Sequence, residues 1–407
     1  MRAVLFEDDK QFWFETLRVF GNASYGGADF GEVLATAERI TPGDYDGWHD
    51  AWLATAERVG GEASRAQAAG HPVSARDGHL RASTYFRTAE FFLHDNPSDP
   101  RIAYAYDRSV EHFRAAARLF RPAIEPVTIP YGSIAGAALH GYFYRAGDGS
   151  EPRPTVMMHS GFDGSAEEVH FVGAWAAVER GYHVLSFDGP GQPSAIHRYG
   201  LPFRPDWEHA VAPVLDHLAT RPEVDMTRVA LLGQSLGGML APRAAAFEPR
   251  IAAVIAVDGV YDAAAAVTAM FPLDADELAR RARAPRDDEL DDMLRTAIET
   301  NPTARWAFGH GQYVMGADSP RRFLASYLDY HLRDGVAERI ACPTLVCSAA
   351  DDLFFEGQPQ RLFEHLTCPK TLLEFTAEEG ADAHCHVGAQ RLALARIYDW
   401  LDDVLHP

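Results

Sequence analysis

Cysteine is scarce in this chain of 407 residues, and the four present, Cys342, Cys347, Cys368 and Cys385, all fall in the last sixth of the sequence. So few thiols, with no C-x-x-C pair, make neither a disulfide framework nor a zinc cluster, and imply reduced cysteines. Basic charge is also scarce: 37 Lys and Arg face 58 Asp and Glu, a formal net charge of −21 that is spread along the whole sequence. That balance repels phosphate backbones and anionic lipid, which argues against nucleic acid or a membrane surface as partner. No apolar run reaches the roughly 18–20 residues that a bilayer crossing needs. The opening Met1-Arg-Ala-Val-Leu-Phe-Glu-Asp-Asp-Lys10 turns acidic long before a secretory core is complete. A cytoplasmic protein is therefore expected. Internal repeats and low-complexity tracts are lacking too.

What is present is apolar material, 47% of the chain, enough at this length for two packed units. From Phe12 to about Phe120 the period is helical. Tyr45, Trp48, Trp52 and Val59 share one face, and Tyr106, Val110, Phe113, Ala117 and Phe120 share another. Between them, Ser74 with Asp77 reads as a capping box opening a helix that carries Leu80, Tyr85, Ala89 and Phe92. Most of these aromatics read as bundle core, with Tyr85 and Phe91 as candidates to line a pocket.

After Pro126 the grammar changes to short β-branched runs alternating with helical stretches. Residues 155–158, 183–187, 229–232, 253–257, 344–347 and 372–375 read as buried strands of a parallel sheet covered on both faces. Residues 127–129 and 139–144 read as antiparallel edge strands. Charged helical sequence such as Asp274-Ala-Asp-Glu-Leu-Ala-Arg-Arg281 interrupts the alternation, as a lid does. The expected organisation is a helical cap over 1–125, an α/β core over 126–261, a helical lid insertion over 262–337, and the rest of the core over 338–407.

The strongest chemical signal is Val229-Ala-Leu-Leu-Gly-Gln-Ser-Leu-Gly-Gly238. A strand runs into Gly233-Gln-Ser235-Leu-Gly237 and a helix-compatible run follows, the context in which G-x-S-x-G holds a nucleophile on a sharp turn. This predicts an α/β-hydrolase fold, a mainly parallel, doubly wound sheet, with Ser235 as nucleophile. Serine needs a base and an orienting acid, which in this fold follow in the order Ser, Asp, His. The strand at 344–347 leads into Asp351-Asp352, either of which fits the acid. The next strand precedes Gly380-Ala-Asp-Ala-His384-Cys-His386, where His384 is the expected base with His386 behind it. Asp382, His384, Cys385 and His386 lack a second cluster to complete a metal site, so neither metal nor cofactor is expected. Asp188-Gly-Pro-Gly-Gln192 lacks the spacing of a dinucleotide loop.

The oxyanion hole is expected to combine the N–H of Leu236 with one from Met157-Met-His159-Ser-Gly161-Phe-Asp163-Gly, supplied by Gly161 or Phe162. His159 reads as a structural neighbour. Asp163 either anchors this loop or meets the substrate.

Beyond these motifs, Gly43-Asp-Tyr-Asp-Gly-Trp48, Ser74-Ala-Arg-Asp-Gly-His-Leu-Arg-Ala-Ser83, Ala89-Glu-Phe-Phe-Leu-His94 and Asp352-Leu-Phe-Phe-Glu-Gly-Gln-Pro359 resemble one subfamily. It is the group of capped α/β-hydrolases that includes 2,6-dihydroxypseudooxynicotine hydrolase and the fungal enzymes that shorten heptaketide pigment precursors. The resemblance implies cleavage of a carbon–carbon bond next to a ketone, Asp352 as the acid, His384 as the base, and a homodimer paired through the cap. Ser160 departs from the glycine that relatives tend to carry. The expected substrate is a small β-diketone or acylated aromatic of secondary metabolism. A carboxylesterase, or a cyclase or acyltransferase with the same triad, is the alternative, and a binding-only relative fits poorly with three competent triad residues.

Overall fold

The computed structural model describes residues 3–132, 136–149, 151–269 and 271–405. Five helices come first: α1 (Lys10–Asn22), α2 (Phe30–Ala37), α3 (Tyr45–Ala68), α4 (Pro72–Glu90) and α5 (Pro100–Ala117). Asp9, Asp44 and Asp99 cap α1, α3 and α5 by accepting first-turn N–H groups, which satisfies donors that a helix start leaves unpaired. Helix α4 corrects the capping-box expectation. It opens at Pro72, with Ser74 already inside the first turn and no side-chain cap. Proline at the first helical position brings a helical φ and has no N–H to satisfy, so the helix starts three residues early, with His71 and not Ser74 at the N-cap position. The apolar faces of these helices meet in a core that includes Phe12, Trp48, Trp52, Val59, Tyr85 and Phe86.

The sheet begins with β1 (Glu125–Pro130), β2 (Ala138–Tyr144) and β3 (Arg153–His159). It continues through α6 (Trp175–Glu179), β4 (His183–Phe187), α7 (Pro193–Tyr199), α8 (Glu208–Leu218), β5 (Val224–Gln234), α9 (Gly237–Ala245) and β6 (Ala253–Val257). Five helices then intervene: α10 (Ala265–Thr268), α11 (Ala275–Ala282), α12 (Asp288–Thr300), α13 (Pro302–Met315) and α14 (Pro320–Tyr327). The chain ends with β7 (Thr344–Ala349), α15 (Gln358–His365), β8 (Lys370–Phe375) and α16 (Gln390–Leu405). The strand order is β1-β2-β4-β3-β5-β6-β7-β8. The β1–β2 and β2–β4 pairs are antiparallel and the others parallel.

Every residue of β4, β6 and β7 is buried, as expected of apolar strands covered on both faces. Side chains alternate between two cores. Met157, Leu185, Leu231 and Val254 pack on the face of α8 and α9, while Val156, Met158, Val184 and Leu232 pack on the face of α16. The outcome is an α/β-hydrolase fold with a large N-terminal helical cap and a helical insertion. The loops that leave the carboxyl ends of β3, β5, β6 and β7 meet beneath α1 and α13, where open α/β sheets bind ligands.

Candidate active site

Ser235 sits between the end of β5 and the start of α9 with φ of 60°, a left-handed conformation that a non-glycine residue adopts only under constraint. Its flanking glycines supply that constraint. A Cβ on Gly233 would stand 2.1 Å from the carbonyl oxygen of Gly237, and one on Gly237 would stand 2.8 Å from that of Ser160. Strand and helix therefore close around the serine, and its hydroxyl points up from the sheet edge.

Ser235 Oγ lies 2.9 Å from His384 Nε2. His384 Nδ1 lies 3.0 Å and 3.1 Å from the two carboxylate oxygens of Asp352. Asp352 is held in turn by the N–H groups of Phe354 (2.7 Å) and Phe355 (3.0 Å), which donate to Oδ1. The two aspartates left open by spacing separate here. Asp352 meets the imidazole, and Asp351 is exposed with its N–H donated to the carbonyl of Asp382 at 2.8 Å. His386 is buried, and its Nδ1–H donates to the Ala381 carbonyl at 3.1 Å.

Sequence reasoning missed Asp258. It follows β6 directly, is fully buried, and places Oδ2 2.9 Å from the same His384 Nδ1. The only hint was an acid at the carboxyl end of the strand beside the nucleophile strand. Burial alone disfavours a charged His384, but Asp352 and Asp258 hold its pKa well above the ordinary histidine value. Asp258, His384 and Cys385 offer donor atoms within 4.8 Å of one another. Both nitrogens of His384 are nevertheless engaged by Ser235 and the carboxylates, so a cation there would displace the hydrogen-bonded chain.

Above Ser235 the loop after β3 makes a close approach. A Cβ on Gly161 would lie 2.6 Å from Leu236 N and 2.9 Å from Ser235 Cβ. Among the described residues, the N–H groups of Gly161, Phe162 and Leu236 have no protein acceptor. Gln192 fixes this loop by donating to the carbonyls of Ser160 (2.7 Å) and Gly161 (3.0 Å), which gives the Asp188–Gln192 turn a structural task. His159 donates from Nδ1 to the Ser160 carbonyl and accepts from Trp207 Nε1 at 3.1 Å. Burial pushes its pKa down to about 4.

Asp163 turns to the cap. Its carboxylate takes both terminal nitrogens of Arg18 at 3.2 Å and 3.1 Å, and Glu168 accepts from the same guanidinium at 2.7 Å and 2.6 Å. Arg87 adds a contact to the Asp163 carbonyl at 3.3 Å. Despite burial, Arg18 and then Arg87 hold the Asp163 carboxyl well below its usual range. Glu15, with a looser 3.4 Å contact to Arg18, is pushed up to about 8 by burial. Asp163 thus anchors the loop to α1 and α4.

A cavity of about 660 Å³ opens over Ser235 and His384. Its walls include Phe14 and Arg18 from α1, Trp306 and Phe308 from α13, Phe323 and Tyr327 from α14, and Phe162, Phe354 and Phe355 from the sheet-edge loops. Two expected lining residues are corrected. Tyr85 is fully buried in the cap, with its hydroxyl donating to Glu32 at 2.8 Å and accepting from Asp29 N at 2.9 Å, so helix packing claims it. Phe91 stacks behind Trp306 at 5.2 Å and backs the wall without forming it. Trp306 itself sits on a helix whose inward face was not distinguishable by period alone.

The parallel sheet, the serine turn and the imidazole beside it define an α/β-hydrolase-fold hydrolase. A family model described as "Esterase FrsA-like" matches residues 7–328, and the chain belongs to that family. It is 36% identical to the hydrolase LUC6 of a Fusarium species and 35% identical to the 20-hydroxy-prefusarin hydrolase FUS2 of Gibberella moniliformis. Each alignment covers 96% of both chains. The crystal structure of 2,6-dihydroxy-pseudo-oxynicotine hydrolase is similar at 25% identity, with a TM-score of 0.69 over 95% of each chain. No helix among the described residues is long and apolar enough to cross a membrane.

Proposed function

We propose that this protein is a serine hydrolase that cleaves a carbon–carbon bond next to a ketone, in a β-diketone or acylated aromatic of polyketide type, through an acyl-Ser235 intermediate. The observation that carries this reading is the chain Ser235–His384–Asp352 at the floor of an aromatic-walled cavity. His384 takes the serine proton as Oγ attacks the ketone carbon. The N–H groups of Leu236 and of the Gly161–Phe162 loop hold the developing oxyanion. Collapse of the tetrahedral adduct breaks the adjacent carbon–carbon bond, and the electron pair leaves as an enolate that takes the proton from His384. Water, activated by the same imidazole, then releases the acyl group as a carboxylic acid and frees Ser235.

The aromatic walls favour a flat, partly aromatic substrate, and the cavity volume falls within the range of small-molecule sites. The names of the relatives, a 20-hydroxy-prefusarin hydrolase and a 2,6-dihydroxy-pseudo-oxynicotine hydrolase, agree with a small organic substrate. The family description as esterase-like supports a second reading, a carboxylesterase on a similar scaffold. Mass spectrometry of products from a panel of aryl β-diketones and shape-matched esters separates the two. Acid and ketone fragments from the diketones support the proposal; turnover of esters alone rejects it.

A further inference from the structure

Two carboxylates, not one, face the outer nitrogen of the active-site imidazole. His384 Nδ1 is 3.0 Å from Asp352 Oδ2 and 2.9 Å from Asp258 Oδ2. They arrive from different elements: Asp352 follows β7 and Asp258 follows β6. Asp258 is costly to place. It is fully buried, it holds φ of 55°, and its Oδ1 has no hydrogen-bond partner among the described residues. A buried carboxylate costs several kcal/mol unless donors meet it, and a left-handed aspartate adds strain. Its Oδ2 is met by the Cys385 N–H and by His384 Nδ1. The remaining neighbour, His386 Nε2 at 3.9 Å from Oδ1, offers no proton, because the Nδ1–H of that ring is the one given to Ala381.

The geometry points to Asp258 as a second positioning carboxylate that shares the Nδ1–H of His384 with Asp352 and keeps the imidazole in the tautomer that accepts from Ser235 when one of the two is lost. The inference rests on the reading of Ser235 and His384 as nucleophile and base. The proton of the neutral ring sits on Nδ1, so either acid alone can hold Nε2 bare toward the serine. Two negative charges beside the ring also stabilise the imidazolium formed on attack, and they keep the resting ring protonated to higher pH than one charge does. The other groups facing His384 are the Cys385 thiol, whose Sγ is 3.5 Å from Nε2, Ser235, His386 beyond Asp258, the Tyr327 hydroxyl of α14, and the rings of Phe14, Phe354 and Phe355. Asp352 and Asp258 are the two carboxylates in ion-pair contact with it.

The test is the pH dependence of fluorophosphonate labelling of Ser235 in the full-length protein, compared among wild type, Asp258→Asn, Asp352→Asn and the double variant, with thermal unfolding of each. Asn at 258 keeps an acceptor for the Cys385 N–H and tolerates the left-handed backbone. In Asp258→Asn the acid limb of the labelling profile moves to lower pH, because a ring beside one charge loses its proton more easily. Asp352→Asn loses far less than the roughly 10⁴-fold that removal of a sole orienting acid costs a Ser-His-Asp enzyme, and the double variant reaches that loss. An unchanged profile in a folded Asp258→Asn overturns the inference. So does the full loss in Asp352→Asn alone, which decides the matter even if the buried variant fails to fold. Wild-type protein that takes no label at Ser235 overturns the nucleophile reading itself, a result distinguishable from either of these.

Discussion

Gly161→Ala is the sharpest single perturbation of the proposed chemistry. A methyl at this position would stand 2.6 Å from both Gln234 O and Leu236 N, and 2.9 Å from Ser235 Cβ. The first two are backbone atoms of the nucleophile turn and cannot swing aside. To reach the ordinary contact of 3.4 Å the loop after β3 must retreat by about 0.8 Å. Overpacking of this kind costs about 1–3 kcal/mol of stability. Activity falls further, because the N–H groups of Leu236 and the loop no longer converge on one point, and loss of one oxyanion donor costs about 10²–10³ in kcat. The assay pairs thermal unfolding with steady-state hydrolysis of an aryl ester or diketone. A modest drop in Tm with a collapse of kcat at nearly unchanged KM is expected. A folded variant that turns over at the wild-type rate would refute the placement of the oxyanion hole between these two segments.

Four further outcomes follow from named contacts. Glu15 titrates near 8 when folded, against about 4.5 when unfolded, so the folded state holds an extra proton between those values and stability falls as pH rises through that window. Glu15→Gln abolishes this slope: equal to wild type in urea unfolding near pH 4.5, and more stable by about 2–5 kcal/mol near pH 8. Arg18→Met leaves Asp163 and Glu168 buried with less counter-charge and lowers stability at neutral pH by about 3–5 kcal/mol, read by denaturant titration. Tyr85→Phe removes the hydroxyl between Glu32 and Asp29 N. It lowers stability by about 1–2 kcal/mol and leaves KM unchanged, since the ring lies in the cap core. Trp306→Ala, by contrast, opens the cavity wall and raises KM for aryl substrates in kinetic assays.

The sheet was legible because buried parallel strands write themselves as unbroken apolar runs. Residues 183–187 and 253–257 coincide with β4 and β6. The start of β5 was not, since Val224 to Arg228 carries charged and polar residues and joins the ladder beside β3 through an irregular register. Strand β8, expected to be buried, is the last strand of the sheet and mostly half-buried, with Glu374 exposed. Within the site, Ser235 and His384 are legible from a strand that runs into a loop, whereas the strand at 344–347 leaves Asp351 and Asp352 open and only the family resemblance favours Asp352. The structure brings Ser235, His384 and Asp352 within hydrogen-bond reach. Asp258 occupies an equivalent place after β6 and also falls between Ser235 and His384 in the chain, but the acid is expected after the later strand at 344–347, which leads into an Asp-Asp pair. The cavity walls were the least legible. A helix period tells which face is apolar, not whether it meets a partner helix or a substrate. Hence Tyr85, by sequence either bundle core or a candidate pocket residue, lies in the cap core, while Phe14 and Trp306 line the cavity. Asp163 needed Arg18, 145 residues away in sequence, before its anchoring contacts were visible, and it also lines the cavity.

The most direct test is to mix the protein with an aryl β-diketone, quench in acid within the first turnovers, and locate the added mass by peptide mapping. An acyl group on the peptide that carries Ser235, absent from Ser235→Ala and cleared with time as carboxylic acid appears, is the predicted result. Diketone cleavage with Ser235 unmodified at every quench time, or undiminished in Ser235→Ala, contradicts it.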